Sequence, residues 1–292
     1  MKFVADIDIP FLKGVLEPYG EVVYKKGLDI CRDDIIDADA LLIRSRTRCD
    51  EELLEGTKVS IITTATIGTD HIDLDYCSSH GIEVANASGC NAGGVMQYVF
   101  SALYGIAARK GIKIDGATIG IVGVGNVGRR IEYMADYLGF KVLRCDPPRA
   151  QKEGPEGFCS LEQLLAESDI VTLHVPLDEN TRGMANADFF TLMKPGAIFI
   201  NAARGEVVNE EALLEAAPKM GAIVIDTWNH EPSVNEELID VVDIATPHIA
   251  GYSYQGKVNG TSMAVQAIAK HFGIRELEDF TQFGTDIDED TK

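Results

Sequence analysis

The segment Thr118–Arg130, with the sequence TIGIVGVGNVGRR, constrains the fold of this chain more than any other stretch. An apolar run from Thr118 to Val122 leads directly into the turn GVGNVG, residues 123–128, and apolar residues then recur at helical spacing. This order predicts a β-strand, a tight turn and an α-helix.

The three glycines of the turn have different expected tasks. Gly123 permits a sharp change of direction, Gly125 lets a pyrophosphate approach the backbone, and Gly128 lets the helix pack against the strand. Asn126 and Val127 complete the turn, and the helix N-terminus that follows favours anions. The segment is therefore predicted to bind a dinucleotide. The alternative is that the glycines serve only the packing of the helix on the strand.

An acidic residue follows at the position that such a site requires. Lys141–Cys145 has the pattern of the next strand, and Asp146 comes directly after it, 18 residues beyond Gly128. A carboxylate there accepts hydrogen bonds from the ribose hydroxyls and repels a 2′-phosphate. The predicted cofactor is NAD rather than NADP.

The length and the alternation of short strands with helices predict the fold class. A chain of 292 residues exceeds the size at which one hydrophobic core usually divides into two. Strands and helices alternate on both sides of the glycine turn, which predicts two Rossmann-like α/β domains with doubly wound parallel sheets. We expect a discontinuous substrate domain, residues 1–93 and 258–292, with an NAD-binding domain, residues 94–257, inserted into it.

Three segments outside the predicted sheets carry expectations of their own. A long apolar helix is expected from Cys90 to about Arg109. Pro147–Phe158 is rich in proline, glycine and charge, which predicts a surface connection. The acidic C-terminal residues Glu276–Lys292 are expected to be solvated.

Charge and cysteine usage exclude several classes of protein. The net charge of −20 opposes binding to nucleic acid or to an anionic membrane. The six cysteines have no CxxC pair and no histidine at metal-ligand spacing, so they are expected to be reduced thiols and no metal site is predicted. The first residues, MKFVADIDIPF, lack a basic segment followed by a long apolar one, and no stretch approaches 18 apolar residues, so a cytoplasmic protein is expected.

One basic cluster is conspicuous in this acidic chain. Arg44, Arg46 and Arg48 follow a predicted strand, and ligands of open α/β sheets bind outside the carboxyl ends of strands. The cluster offers a place for an anion such as a phosphate, although pairing with neighbouring acids is an equally good explanation for any one arginine. The next strand ends in small and hydroxylated residues, 64–70, which suit a polar pocket.

Three residues suited to acid–base chemistry follow the last three strands of the second predicted sheet. Arg204, Glu231 and His248 each lie in a loop after one of these strands. A base, an acid that orients it and a fixed cation are what hydride transfer at an α-hydroxy acid needs. Taken singly, each has an ordinary structural explanation as a loop or surface residue.

Several stretches resemble the D-isomer-specific 2-hydroxyacid dehydrogenases over nearly the whole chain. They are GVGNVG, NAARGEVVNEEALLEA, IDTWNHEP and TPHIAGYSYQGKVNGT. The resemblance implies that Arg204 and Glu231 are catalytic residues and that His248 donates or accepts the proton. It also places a set of residues around the cofactor, namely Asp146, Ala202, Ala203, Arg204, Asp226 and Gly251, and matches Ser45, Thr66 and Tyr252 to substrate positions.

Within this family, the stretches LLIRSRTRCDEELLEG and PHIAGYSYQGK imply a particular substrate. The implied reaction is the NAD-dependent oxidation of 4-phospho-D-erythronate to 2-oxo-3-hydroxy-4-phosphobutanoate, a step of pyridoxal phosphate biosynthesis. The alternatives are a family member acting on glycerate or 3-phosphoglycerate, or an NAD-sensing binding protein on the same scaffold. The resemblance also implies a homodimer formed through the long helix near Gln97–Tyr104, in a short form without a C-terminal dimerisation domain.

Overall fold

The computed structural model describes residues 1–281, which form two compact units. Of these residues, unit 1 contains Met1–Asn91 and residues 253–281, and unit 2 contains Ala92–Tyr252. The assignment of a substrate domain and an NAD-binding domain at the boundaries expected from the sequence stays a prediction.

Strands and helices alternate along both units. Residues 1–91 contain β1 (Lys2–Asp6), β2 (Glu21–Lys25), α1 (Arg32–Ile35), β3 (Ala40–Ile43), α2 (Glu51–Leu54), β4 (Ile61–Thr64), α3 (Leu74–Ser79) and β5 (Glu83–Asn86). Unit 2 contains α4 (Ala92–Lys110), β6 (Thr118–Val122), α5 (Gly128–Tyr137), β7 (Lys141–Cys145), α6 (Pro147–Glu153), α7 (Leu161–Glu167), β8 (Ile170–Leu173), α8 (Ala187–Leu192), β9 (Ile198–Asn201), α9 (Glu210–Ala216), β10 (Ala222–Ile225), α10 (Glu236–Val241) and β11 (Ile244–Ala245). The chain then returns to unit 1 with α11 (Tyr254–Phe272). Single turns of 3₁₀ helix lie at Gly27–Asp29, Gly205–Val207, Ala217–Lys219 and Arg275–Leu277.

The sheet of unit 1 is parallel throughout and has the strand order β2-β1-β3-β4-β5. Its central strand β3, with the sequence ALLI, is buried along its whole length because both faces of the sheet are covered. Leu42 packs with Val265 and Ile268 of α11 on one face, and Leu41 packs with Leu54 on the other. The long C-terminal helix is therefore part of the core of unit 1.

The sheet of unit 2 is also parallel, in the order β11-β10-β9-β8-β6-β7. Successive residues of β9 serve opposite faces, since Phe199 packs with Phe190 of α8 while Ile200 packs with Leu103 of α4. The strand order reverses at β6, which lies between β7 and β8. Ligands of such sheets bind outside the carboxyl ends of the strands at this reversal. The predicted fold class, α/β with two parallel sheets, is confirmed.

One predicted surface connection is instead partly helical. The first seven residues of Pro147–Phe158 lie at the surface, as predicted, with none of them buried, but they form the helix α6 and not an irregular connection. The side chain of Asp146 caps this helix by accepting a hydrogen bond from the Arg149 N–H, and prolines occupy the first turn, where their missing N–H groups cost nothing.

The prediction of a solvated acidic tail is wrong at its beginning. Leu277 is buried in the core of unit 1, and Phe280 packs against the same cluster, because two apolar side chains in this acidic stretch find an apolar surface. The remainder of the predicted tail, residues 282–292, lies outside the described residues.

Within residues 1–281, no helix is both long and apolar enough to cross a membrane, and no group of three His, Cys, Asp or Glu side chains is placed to hold a metal ion. All six cysteines lie in this part of the chain and are free thiols.

Candidate active site

The three glycines of the turn after β6 differ in how much space surrounds them. Gly123 has a φ of +85°, and a Cβ atom there would lie 2.6 Å from the carbonyl oxygen of His174. A Cβ at Gly128 would lie 2.1 Å from the carbonyl oxygen of Gly123. A Cβ at Gly125, by contrast, would meet nothing within 4 Å. Gly123 and Gly128 are thus needed for the turn itself, whereas Gly125 leaves open space above it.

Asp146 is fixed beside this turn. The pairing of Val122 with Cys145 brings the ends of β6 and β7 together, and the Asp146 carboxylate accepts hydrogen bonds from the N–H of Val124 at 2.7 Å and of Arg149 at 3.0 Å. The open space at Gly125 and the anchored carboxylate fit the pyrophosphate and the adenosine ribose of a dinucleotide. Asn126, which is exposed, and Val127, which is half-buried, lie between the open glycine and the first turn of α5.

Arg204 is carried by a turn that the end of β9 organises. The side chain of Asn201 accepts a hydrogen bond from the Ala203 N–H at 3.1 Å and donates one to the Arg204 carbonyl oxygen at 2.9 Å. Ala202 and Ala203 form the tip of this turn, and the Arg204 guanidinium donates to the Ala203 carbonyl oxygen at 2.8 Å. The cation is therefore held close to its own backbone.

The turn at Arg204 packs directly on the segment that leads to Glu231. A Cβ at Gly205 would lie 2.0 Å from the carbonyl carbon of Trp228, so only glycine allows this approach. One carboxylate oxygen of Glu231 accepts a hydrogen bond from the Trp228 N–H at 2.9 Å. The other lies 2.9 Å from Nδ1 of His248. The structure thus brings the three loops together and joins Glu231 to His248 directly.

Asp226 organises the loop that presents His248. This fully buried carboxylate accepts hydrogen bonds from the Thr246 hydroxyl at 2.6 Å and from the N–H groups of Ile249 and Ala250, both at 2.8 Å. The Asp226 carbonyl oxygen accepts a hydrogen bond from the His248 N–H at 2.7 Å. His248 adopts a φ of +55°, which is rare for a residue other than glycine. Gly251 and the exposed Tyr252 continue the loop.

Unit 1 carries the remaining predicted residues on two neighbouring strand ends. Ile43 of β3 pairs with Thr64 of β4, so the loops that contain Ser45 and Thr66 start side by side. Ser45 is exposed, and the Thr66 hydroxyl lies 2.7 Å from the Thr64 hydroxyl.

Two of the three arginines of this loop have partners among the described residues. Arg44 donates to the Asp8 carbonyl oxygen at 3.1 Å, and Arg48 forms an ion pair with Asp50 at 2.8 Å. The side chain of Arg46 is exposed and has no hydrogen-bond or ion-pair partner among residues 1–281.

Sequence reasoning missed two residues that lie against the glycine turn. His174, behind the glycine turn, lies 2.9 Å from the Thr172 hydroxyl through Nε2, and burial lowers the pKa of His174 to about 3. Arg149 donates to the carbonyl oxygen of Val124, within the turn, at 2.7 Å. The sequence contained a signal for Arg149, because it follows Asp146 by three residues. When an acidic residue caps a helix, the residue three positions later lies close to the cap.

A parallel sheet with an open glycine turn, an anchored acid on the next strand, and Arg, Glu and His on adjacent loops defines the class of NAD-dependent dehydrogenases. The model of the NAD-binding domain of D-isomer specific 2-hydroxyacid dehydrogenases matches residues 101–250. The chain belongs to the D-isomer specific 2-hydroxyacid dehydrogenase family. The predictions of this family, of NAD as the cofactor and of an oxidoreductase are confirmed.

Curated relatives and solved structures cover nearly the whole chain. The erythronate-4-phosphate dehydrogenase of Bacteroides thetaiotaomicron is 46% identical over 96% of this chain and 83% of its own length. That of Chromohalobacter salexigens is 44% identical over 94% of this chain and 73% of its own length. The NAD-bound 3-phosphoglycerate dehydrogenase of Entamoeba histolytica is 28% identical with a TM-score of 0.78, covering 98% of this chain and 99% of that one. The D-lactate dehydrogenase of Aquifex aeolicus, complexed with NAD and lactic acid, is 25% identical with a TM-score of 0.77, covering 98% of this chain and all of that one.

Proposed function

We propose that this protein oxidises 4-phospho-D-erythronate to 2-oxo-3-hydroxy-4-phosphobutanoate with NAD, in pyridoxal phosphate biosynthesis. The observation that carries the chemistry is the Glu231 carboxylate, which holds the Trp228 N–H with one oxygen and lies at hydrogen-bond distance from His248 with the other. The names of the curated relatives at 46% and 44% identity support the substrate.

In the proposed reaction His248 is the base. Its Nδ1 atom donates to Glu231, which leaves Nε2 as the ring nitrogen that takes the proton of the substrate hydroxyl. Glu231 stabilises the imidazolium that forms, because a carboxylate at 2.9 Å favours the positive charge. Arg204 binds the substrate carboxylate and polarises the carbonyl as it develops.

The cofactor is held by residues of unit 2. Asp146 binds the adenosine ribose hydroxyls, and the turn of Gly123, Gly125, Asn126, Val127 and Gly128 binds the pyrophosphate. Ala202, Ala203, Asp226 and Gly251 lie on the loops assigned to the nicotinamide end. When bound, NAD supplies the hydride acceptor.

The substrate phosphate is assigned to the arginine loop of unit 1. The protein as a whole has a charge of −20, so an anionic group needs a local cation. Arg46 is the arginine of this loop whose guanidinium makes no bond to residues 1–281, while Ser45 and Thr66 add hydroxyl donors. Tyr252, 68% exposed, is the fourth proposed substrate residue.

The proposed assembly is a cytoplasmic homodimer formed through α4. The helix presents Gln97, Ser101 and Tyr104 on one exposed face while its other face is buried in unit 2. Light scattering after gel filtration measures the mass, and a monomeric mass at micromolar concentration argues against this assembly. Six free thiols agree with a reducing compartment.

A substrate panel tests the proposed function. NADH formation is followed with 4-phosphoerythronate, 3-phosphoglycerate, glycerate and lactate under the same conditions. We expect kcat/KM for 4-phosphoerythronate to exceed the values for glycerate and lactate, which lack the phosphate, by at least about tenfold, which corresponds to one charge-assisted hydrogen bond. We also expect it to exceed the value for 3-phosphoglycerate, whose shorter chain carries the phosphate one carbon closer to the carboxylate. Equal values across the panel would sink the substrate assignment, and 3-phosphoglycerate as the best substrate would replace it.

A further inference from the structure

Arg149 and Asp146 are both hydrogen-bonded to the glycine turn. The guanidinium of Arg149 donates to the Val124 carbonyl oxygen, while the Val124 N–H donates to the Asp146 carboxylate. A positive charge therefore lies next to the acid that is assigned to the adenosine ribose. In dinucleotide-binding folds, an arginine at this place is the group that accommodates a 2′-phosphate.

Glu153 neutralises this positive charge. Its carboxylate accepts two hydrogen bonds from Arg149, from Nε at 3.0 Å and from Nη2 at 2.6 Å. It also lies 3.3 Å from a guanidinium nitrogen of Arg129, in the first turn of α5. The hydrogen bonds from Arg149 hold the pKa of Glu153 below its ordinary value. One exposed carboxylate thus engages the two guanidinium groups that flank the ribose end of the turn.

We propose that Glu153 is a specificity-determining residue, which excludes NADP by withholding Arg149 and Arg129 from a 2′-phosphate. Asp146 repels the phosphate directly, whereas Glu153 acts on the cations that would otherwise attract it. Each of the three guanidinium nitrogens of Arg149 already donates one hydrogen bond, Nε and Nη2 to Glu153 and Nη1 to the Val124 carbonyl oxygen. Glu153 binds Nε and Nη2 of Arg149 in a bidentate geometry, which is also the geometry in which arginine binds a phosphate. A 2′-phosphate would therefore have to displace the Glu153 carboxylate from these two nitrogens.

The chain offers the means to separate these two effects. Asp146→Ser removes the repelling carboxylate and keeps a side chain able to cap α6. Glu153→Gln removes the competing charge at an exposed position while keeping its size. Glu156→Gln is the matched control, because it removes an equal charge three residues further on from a side chain with no partner among residues 1–281.

The test measures dissociation constants of NADH and NADPH from the fluorescence of the bound reduced cofactor, without substrate. In the Asp146→Ser background, Glu153→Gln is expected to lower Kd for NADPH by about fivefold, the upper range for an exposed ion pair, and to leave Kd for NADH within about twofold. The gain is expected to shrink at high salt and to vanish when Arg149→Ala and Arg129→Ala are both added.

The outcomes decide the proposal independently of which hydroxy acid the enzyme oxidises. An unchanged Kd for NADPH on Glu153→Gln overturns it, as does an equal gain from Glu156→Gln or an equal gain for NADH. The single Glu153→Gln variant repeats the comparison without altering Asp146. Its ratio of Kd for NADPH to Kd for NADH is expected to be lower than that of the unaltered protein. An equal or higher ratio also overturns the proposal.

Discussion

The Nδ1 atom of His248 lies 2.9 Å from an Oε atom of Glu231, whose second oxygen accepts the Trp228 N–H at the same distance. The carboxylate is thereby fixed on both sides. His248 is half-exposed, with 47% of its side chain accessible, so the pair is open to a substrate while Glu231 sets the orientation of the ring.

We expect Glu231→Gln to lower kcat by about 10²-fold or more. An amide oxygen can still accept the Trp228 N–H, but the amide NH₂ group then faces Nδ1 of His248 and favours the tautomer with hydrogen on Nε2. That tautomer cannot take the substrate proton at Nε2. Steady-state kinetics and NADH titration measure the effect, with Kd for NADH expected within about twofold of the unaltered enzyme.

His248→Ala provides the reference for this prediction, since removal of an acid–base group costs about 10²- to 10⁴-fold in turnover. Wild-type turnover in this variant would show that His248 is not the base.

The open space at Gly125 and the close contact at Gly128 predict opposite outcomes for the same substitution. Gly125→Ala is expected to fold with unchanged stability and to weaken NADH binding by at least about tenfold, because the new methyl group occupies the space above the turn. Gly128→Ala is expected to lose about 1–3 kcal/mol of unfolding free energy, since its methyl group meets the Gly123 carbonyl oxygen. Urea unfolding and NADH titration on both variants check this, and undiminished NADH affinity in Gly125→Ala contradicts it.

The sheets were predictable because parallel strands buried on both faces are short apolar runs, such as ALLI in β3 and IFIN in β9. The loops that carry Arg204, Glu231 and His248 were predictable from their places after such runs. The residue roles stay predictions, although the structure joins Glu231 to His248 directly.

The details of the loops could not be read from the sequence. The left-handed backbone of His248 depends on contacts with Asp226 that join residues 20 or more positions apart. Local patterns contain no information on such contacts. The helix α6 was missed because the composition of its segment outweighed the capping signal of Asp146 followed by two prolines.

Asp226→Asn is expected to destabilise the protein and to slow turnover together. The carboxylate accepts from two backbone N–H groups and one hydroxyl in a fully buried place, and an amide must turn its NH₂ group toward one of these donors. Loss of one hydrogen bond to a buried charged group costs about 1.5–3 kcal/mol. Urea unfolding measures the stability and steady-state kinetics the turnover. A variant with unchanged stability and unchanged kcat would show that Asp226 does not hold the His248 loop.

Arg46→Gln is expected to raise KM for 4-phosphoerythronate by at least about tenfold with a small effect on kcat, because a phosphate held by one charge-assisted contact loses it in both the ground state and the transition state. Arg48→Gln is the matched control, since Arg48 is engaged with Asp50 and is 83% exposed. Initial rates over a range of substrate concentration distinguish the two. Equal KM values in both variants would remove Arg46 from the phosphate site.

His174 gives the folded protein a defined sensitivity to acid. Burial lowers the pKa of His174 from its ordinary 6.5 to about 3, so between these values the unfolded chain binds a proton that the folded chain does not. The contribution of His174 to the unfolding free energy is therefore fully present above pH 6.5. It is lost as the pH drops below this value, by at most about 1.4 kcal/mol per pH unit. His174→Gln removes the titrating ring, and its unfolding free energy is expected to fall less steeply between pH 7 and pH 5. Urea unfolding at several pH values measures the two slopes, with His80→Gln, at an exposed histidine, as the control. Identical slopes in His174→Gln and the unaltered protein would mean that His174 does not contribute to acid unfolding.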